Sequence, residues 1–357
     1  MKLEVIPLKV FKEHKLFEMY LKVTSGEDIF FDFEYLVAND NHENGNTLVA
    51  LFHDQGKILI SYAFVRRPFR YQSQIFYDLI TPYEYGGILI HSKNQNGLKR
   101  FNIAIEDYCK ENNIVAGFQR IDPMINLQIE HYKEEFDISL VNQNIYVDLK
   151  NSEETIFSDF HKNNRRDVRY ALRNGVNIKP YKPSKESMNI FYEIYKDTMD
   201  GKGADQFYYF NKKYFRQLEN FSSDKLSVFI AYTKDEEPFS AALIFKKGKY
   251  SHYHLSGTNR AFTKLCGTNL LLYNAIIKMK SEGRTYFHLG GAAKSQEGLY
   301  RFKKKFSKKT IPYYVAKRVF NNYLYNQINQ DLLKEGKLTQ EDKNSNFFPL
   351  YRKTIKI

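Results

Sequence analysis

A chain of 357 residues is long for one compact domain and comfortable for two. With 43% hydrophobic and 16% aromatic residues it can fill real cores, which excludes wholesale disorder. Its formal net charge of +13 predicts attraction to phosphates, in nucleic acid, nucleotides, phosphorylated lipids or an anionic membrane surface. The two cysteines, Cys109 and Cys266, have no motif spacing and exclude a disulfide framework or a cysteine-based zinc site.

The first residues, "MKLEVIPLKVFKEHKLFEMYLKV", scatter charges through their apolar positions and lack an h-region, so they do not read as a signal peptide. No apolar run approaches the roughly 20 residues a membrane span needs. The expected location is the cytoplasm. Residues 46–69 read as a hairpin, two apolar strands around a polar turn with Gly56. Residues 77–90, "YDLITPYEYGGILI", combine a strand with Pro82 and a glycine pair; Tyr83 and Tyr85 there are either packed rings or hydrogen-bonding groups for a sugar or peptide. A helix is expected over 96–113, followed by the short strand "IVAGFQRI". The polar stretch 147–160 marks a boundary, with Ser152 as an N-cap of the next helix.

After the boundary, "HKNNRRDVRYALRNGV" places Arg165, Arg169 and Arg173 at i, i+4 and i+8 on one helix face, with Lys162 and Arg166 beside them and Val168, Ala171 and Leu172 opposite. Such a face is either a solvated surface or a phosphate-binding one, since each guanidinium is a planar fork of donors. Residues 224–257 repeat the strand–turn–strand pattern of 46–69. "KLCGTN", 264–269, opens the helix over 267–283, where backbone N–H groups and the positive helix end suit a phosphate. "RTYFHLGG" is the matching short strand, and behind its glycines come Arg301, Lys303, Lys304, Lys305, Lys308 and Lys309. If the two cationic runs converge they line a phosphate channel. A strand and an amphipathic helix come next, and the last stretch, 334–357, is polar and expected to be partly loose.

His252 and His254 alternate along a strand and His288 ends the next one; they read as packed imidazoles or metal ligands, and no carboxylate spacing supports a metal. No nucleophile elbow, Walker loop, dinucleotide fingerprint or kinase set is present. The two halves share element order without sequence identity, which suggests two related domains in tandem: 1–150, joined by 316–357, and 151–315.

Five segments in order, "TPYEYGG", "NNRRDVRYALRNGV", "DTMDGKGADQFYYFNKKYF", "HLSGTNRAFTKLCGTNLLLYNAI" and "HLGGAAKSQEGLYRFKKKF", resemble the Fem-type peptidoglycan-bridge aminoacyltransferases and their GNAT-like relatives in cell-surface polysaccharide pathways. The resemblance implies an α/β (α+β) fold of two tandem GNAT-like acyltransferase domains, with mixed central sheets flanked by helices. It implies an N-acyltransferase that moves an acyl or aminoacyl group from acyl-CoA or aminoacyl-tRNA to an amine on a nucleotide- or lipid-linked glycan precursor. No permanent cofactor, no metal and no DNA partner are implied, and peripheral contact with a membrane surface is compatible with the charge. By the same resemblance Lys303 and Phe302, with Gly290 and Gly291, stand at the reacting carbonyl. Lys264, Gly267, Thr268, Asn269 and Arg260 stand at the donor. Tyr83, Tyr85, Arg165, Arg169, Lys202 and Tyr209 are the substrate-side candidates. The sequence departs from the family at Lys264 and Asn269 of the donor loop, and at Gly201, where the family commonly has arginine. No general base is singled out. A non-catalytic RNA-binding protein, and a family member acting as a scaffold, are the alternatives.

Overall fold

Alternation of apolar residues, broken by turns that tolerate positive φ, builds the first half as a meander closed by a helix. We describe a computed structural model covering residues 1–40, 42–92, 95–203, 209–292 and 296–355; the side chains at 95, 126–128, 131 and 202 lie outside that description. Strand β1 (Lys2–Pro7) leads through the short helices α1 (Leu8–Phe11), α2 (Phe17–Val23) and α3 (Phe33–Ala38) to β2 (Asn46–Asp54), β3 (Lys57–Tyr71), β4 (Gln74–Ile80) and β5 (Ile88–Ile90). Between β2 and β3, Gln55 and Gly56 have φ of 46° and 81°, the left-handed pair that a two-residue hairpin turn requires. β1 to β4 pair antiparallel in chain order, and β5 pairs with β3. Helix α4 (Gln95–Glu111) then carries the chain to β6 (Ile114–Arg120), parallel to β4. A parallel pair needs such a crossover, because no tight turn can make one.

The same order recurs. Strand β7 (Asp137–Asp148) precedes α5 (Glu153–Asp159), α6 (Lys162–Arg173), β8 (Asn177–Tyr181), α7 (Lys185–Lys202) and α8 (Lys212–Leu218). Strands β9 (Leu226–Tyr232), β10 (Pro238–Lys247) and β11 (Tyr250–Thr258) come next, then α9 (Gly267–Ser281), β12 (Tyr286–Gly290) and α10 (Glu297–Lys304). β8 to β11 pair antiparallel in order, α9 is the crossover, and β12 lies parallel to β11. β7 closes this set antiparallel to β12, as the late strand β13 (Thr310–Val319) pairs antiparallel with β6 in the first. Helices α11 (Asn322–Lys334) and α12 (Gln340–Lys343) end the chain. The fold is therefore a mixed α/β one, a tandem repeat of one strand–helix order.

Two compact units result: residues 1–25, 30–141 and 313–357, and residues 26–29 and 142–312. In the first, Phe101 and Ile105 of α4 cover one set of sheet residues, and Phe11, Phe17 and Tyr20 cover another. In the second, Leu271, Leu272, Ala275 and Met279 of α9 pack with Val168 and Ala171 of α6 against Phe229, Phe239 and Ile244. Ser152 caps α5 as expected, accepting from the Thr155 N–H. No helix among the described residues is long and apolar enough to cross a membrane.

Two local expectations fail. Leu172 is 55% exposed, so only Val168 and Ala171 form the apolar stripe of α6. The tail is anchored rather than loose: Leu350 and Tyr351 are buried, Tyr351 stacks on Phe69 at 4.7 Å, and Arg352 Nε donates to the buried Asp78 at 2.6 Å. Tyr351→Ala is expected to cost about 3 kcal/mol or more of unfolding free energy, as large-to-small changes at buried aromatics do. Urea denaturation checks this; a cost below about 1 kcal/mol would mean that the tail adds nothing to the first unit's core.

Candidate functional site

The end of β12 explains the glycine pair. β12 pairs with β7 as His288 with Tyr146 and next as Gly290 with Ile145, so Leu289 is left over as a bulge. Gly290 has φ of 74°, a left-handed value that a side chain makes costly. At Gly291 the constraint is space: a Cβ there would overlap Asn144 Oδ1 and come within 2.7 Å of Asn142 Oδ1. Without it, the backbone presents the Gly291 carbonyl to Lys303, whose Nζ donates to it at 2.8 Å. Lys303 lies in the last turn of α10, and Phe302 beside it packs toward the core, 5.4 Å from Phe306.

A second half of the site forms at the start of α9. Gly267 is buried against Phe239, whose ring a Cβ would strike. The Thr268 hydroxyl is 2.8 Å from that of Thr258 and 3.2 Å from that of Ser240, and Asn269 Nδ2 donates to Asn164 Oδ1 at 2.7 Å. These side chains turn inward. The loop offers its backbone instead, because the first N–H groups of a helix have no intrahelical partner and Cys266 at the N-cap supplies no side-chain bond.

Asn164 ties three helices together. Its Nδ2 donates to the Lys305 carbonyl at 3.3 Å, the His161 N–H donates to the same carbonyl at 2.8 Å, and its Oδ1 takes the Asn269 bond. The start of α6, the end of α10 and the start of α9 therefore meet, and the two cationic runs meet with them. Burial raises the Cys266 thiol pKa and Asp167 adds to this, while the charges of Arg166 and Lys305 oppose it. Several cations of the two runs, Arg166 among them, are engaged: Arg166 with Asp167, Arg301 with Glu297, Lys309 with Asp148, and Lys304 with the Lys308 carbonyl. Among the described residues Lys264 and Lys305 form no ion pair. A helix N-terminus with uncommitted cations beside it can hold a phosphate, and a lysine fixed at a glycine backbone can face a developing oxyanion.

The remaining candidates lie elsewhere. Arg165 Nη1 donates to the Ser158 carbonyl at 2.7 Å and to that of Phe160, and Arg169 sits 5.3 Å over the Phe157 ring. Both arginines thus brace the end of α5. Tyr83, in the first unit, is 6% exposed, its carbonyl accepts from Tyr35, and its ring meets His42 at 4.5 Å. Tyr85 lies between the rings of Phe30 and Tyr313. Tyr209 hydrogen-bonds Asp200. The side chain of Lys202 is outside the described residues, as is the segment 204–208 of its motif. A Cβ on Gly201 would lie 2.9 Å from Arg260 Nε, so the Arg260 guanidinium occupies the space beside that helix position.

Sequence reasoning missed Asn142, Asn144 and Asp28, which lie in no quoted motif, and passed over Asn164 inside the arginine motif. It saw the histidines without their partners. His254 Nε2 is 2.7 Å from the Tyr214 hydroxyl, and no group of three or more His, Cys, Asp or Glu able to hold a metal forms among the described residues. His252 and His288 face each other, 3.1 Å between their Nδ1 atoms. Burial, then the charges of His252 and Lys303, push the His288 pKa well below its ordinary 6.5. Burial also lowers His91, in the first unit, to about 4. Below pH 6.5 each ring binds fewer protons folded than unfolded, so stability is level above that pH and falls as pH drops through it. The slope reaches about 1.4 kcal/mol per pH unit for each such group. Urea midpoints measured from about pH 7.5 down to about 5.5 should decline, with a flatter decline in His91→Gln; a constant midpoint would contradict the buried neutral rings.

Comparisons with known proteins bear on the fold that carries this site. Residues 158–304 match the family described as acetyltransferase (GNAT) domain. The solved structure of FemX is similar at a TM-score of 0.67 and 14% identity, over 92% of this chain and 100% of that one. The C-terminal domain of a putative lysylphosphatidylglycerol synthetase from Agrobacterium fabrum is similar at 0.56 and 14% identity, over 88% of this chain and 96% of that one. L-PGS from Bacillus licheniformis is similar at 0.55 and 15% identity, over 85% and 91%. No curated protein matches the chain. Every element of the site at β12, α9 and α10 falls inside or beside the segment that matches the acetyltransferase (GNAT) domain, and the chain as a whole has the fold seen in FemX.

Proposed function

We propose that this protein is an N-acyltransferase that moves an acyl or aminoacyl group from acyl-CoA or aminoacyl-tRNA to an amine on a cell-wall or surface-polysaccharide precursor. One observation carries the reading: Asn164 joins the uncapped start of α9 to the start of α6, which carries Arg166, and to Lys305, while Lys303 of the adjoining α10 is fixed on the Gly291 carbonyl. The donor's phosphates rest on the α9 N–H groups and these cations, an arrangement that serves CoA and tRNA alike. Arg260 and Lys264, on the turn that precedes α9, are proposed as further contacts to the same donor. The glycan acceptor is supported by the order of Fem-type motifs, and the substrate-side residues of the first unit are proposed on the same ground.

The transfer is direct. The acceptor's amine attacks the activated carbonyl, the tetrahedral oxyanion forms against the Lys303 ammonium, and the thiol or ribose hydroxyl leaves. Holding both substrates in line contributes about 7–11 kcal/mol at best, and one preorganised oxyanion donor about 3–4 kcal/mol. The acceptor's proton leaves to a base that the residues do not single out.

Lys303→Ala should therefore lower turnover by at least about tenfold, toward the two to three decades that one oxyanion donor is worth, with an unchanged melting curve. Steady-state transfer assays with each donor class check this. Wild-type turnover in that variant would remove Lys303 from the reaction.

A further inference from the structure

Behind the glycine pair runs a buried chain of polar groups that the proposed reaction does not use. Asp28 and Asn144 have no exposed surface, and His252 and His288 are each 2% exposed. Asp28 Oδ1 accepts from the Ile29 N–H at 2.6 Å and lies 2.7 Å from His252 Nε2. His252 Nδ1 is 3.1 Å from His288 Nδ1, and His288 Nε2 is 3.1 Å from Asn144 Nδ2. The rings come together because His252 and His288 are register partners on the parallel strands β11 and β12.

The partners set the proton positions. A carboxylate only accepts, so His252 carries a proton on Nε2. An amide nitrogen only donates, so His288 Nε2 is the acceptor and its proton sits on Nδ1. That proton is given to His252 Nδ1. One arrangement satisfies all three contacts, and both rings are neutral in it. Because Asn144 Nδ2 is committed to His288, its Oδ1 is turned to the Gly291 backbone, where a Cβ would overlap it. Asn142 holds the next peptide, donating from Nδ2 to the Ala292 carbonyl at 3.1 Å.

We propose that Asp28, His252, His288 and Asn144 are a positioning chain for Lys303: they fix the Gly290–Gly291 backbone from behind, and with it the carbonyl that aims the lysine ammonium. The inference rests on the proposed role of Lys303. It brings residue 28, from a segment far ahead of the acetyltransferase match, into the machinery of the second unit.

The test is a double-mutant cycle with Lys303→Ala. His288→Leu should lower kcat by about tenfold with little change in KM, as loss of fixed geometry does. In the Lys303→Ala background the same change should add less than about twofold, because the chain acts through that lysine. His288→Gln, which can still accept from Asn144 and donate to His252, should recover most of the activity. Equal losses in both backgrounds, or no recovery by glutamine in a folded variant, would overturn the proposal. If His288→Leu does not fold, Asp28→Asn takes its place in the cycle. Imidazole nitrogen NMR of the wild-type protein reads the chain without any assay: His252 protonated on Nε2 and His288 on Nδ1 are expected. A doubly protonated His252, with Asn144 flipped, would refute it. Absence of transfer by the wild type from either donor would count against the function proposed above and leave the NMR result to decide the chain.

Discussion

The bulge at the end of β12 is the constraint on which the site depends. One surplus residue, Leu289, shifts the register against β7 and forces Gly290 into a left-handed conformation. The strand then cannot continue, and the next peptide turns its carbonyl to Lys303. A bulge is a local break in pairing that re-aims the residues beyond it, and barrel rims and active sites use it repeatedly. Here it converts an ordinary strand end into a fixed backbone acceptor for a cation. The two glycines serve different needs, one of conformation and one of space, so neither can stand in for the other.

Around that point the fold uses one plan twice. Each unit builds an antiparallel meander, crosses over by a helix and adds a strand parallel to the last of the four. In the second unit the crossover helix α9 begins beside the cations, and its dipole and N–H groups add to their field. The net positive charge is thus not spread evenly in its consequences. Most cations of the 301–309 run are held by nearby carboxylates or carbonyls, and the Asn164 knot brings Lys305 to the loop by its backbone, leaving its ammonium uncommitted.

Much of this was legible in the sequence. The hairpins, the two crossover helices and the Ser152 cap arise from alternation, periodicity and local capping chemistry, which act over a few residues. The convergence of the cationic runs was legible as a condition; Asn164 joins the starts of α6 and α9 to Lys305, while Arg165 and Arg169 turn to α5 instead. What could not be read are partnerships set by tertiary contact. Nothing near Asp28 announces His252, which is 224 residues away. Arg165 and Arg169 fit a ligand-facing stripe by spacing, yet the end of α5 lies close enough to take both. Tyr83 fits a polar loop, yet the packing of His42 and Tyr35 encloses it. The tail 334–357 reads as polar because its few apolar residues, Leu350 and Tyr351 among them, are the ones that anchor it.

The central claim is that the start of α9 and its cations receive the phosphates of an activated donor. The most direct measurement is binding of acetyl-CoA and, separately, of a charged-tRNA pool to the purified protein at two salt concentrations, with Arg166→Ala/Lys305→Ala as the comparison. The account predicts that one donor binds, weakens as salt rises, and weakens again in the double variant. Wild-type affinity for both donors in that variant, or no affinity for either donor in the wild type, would contradict it.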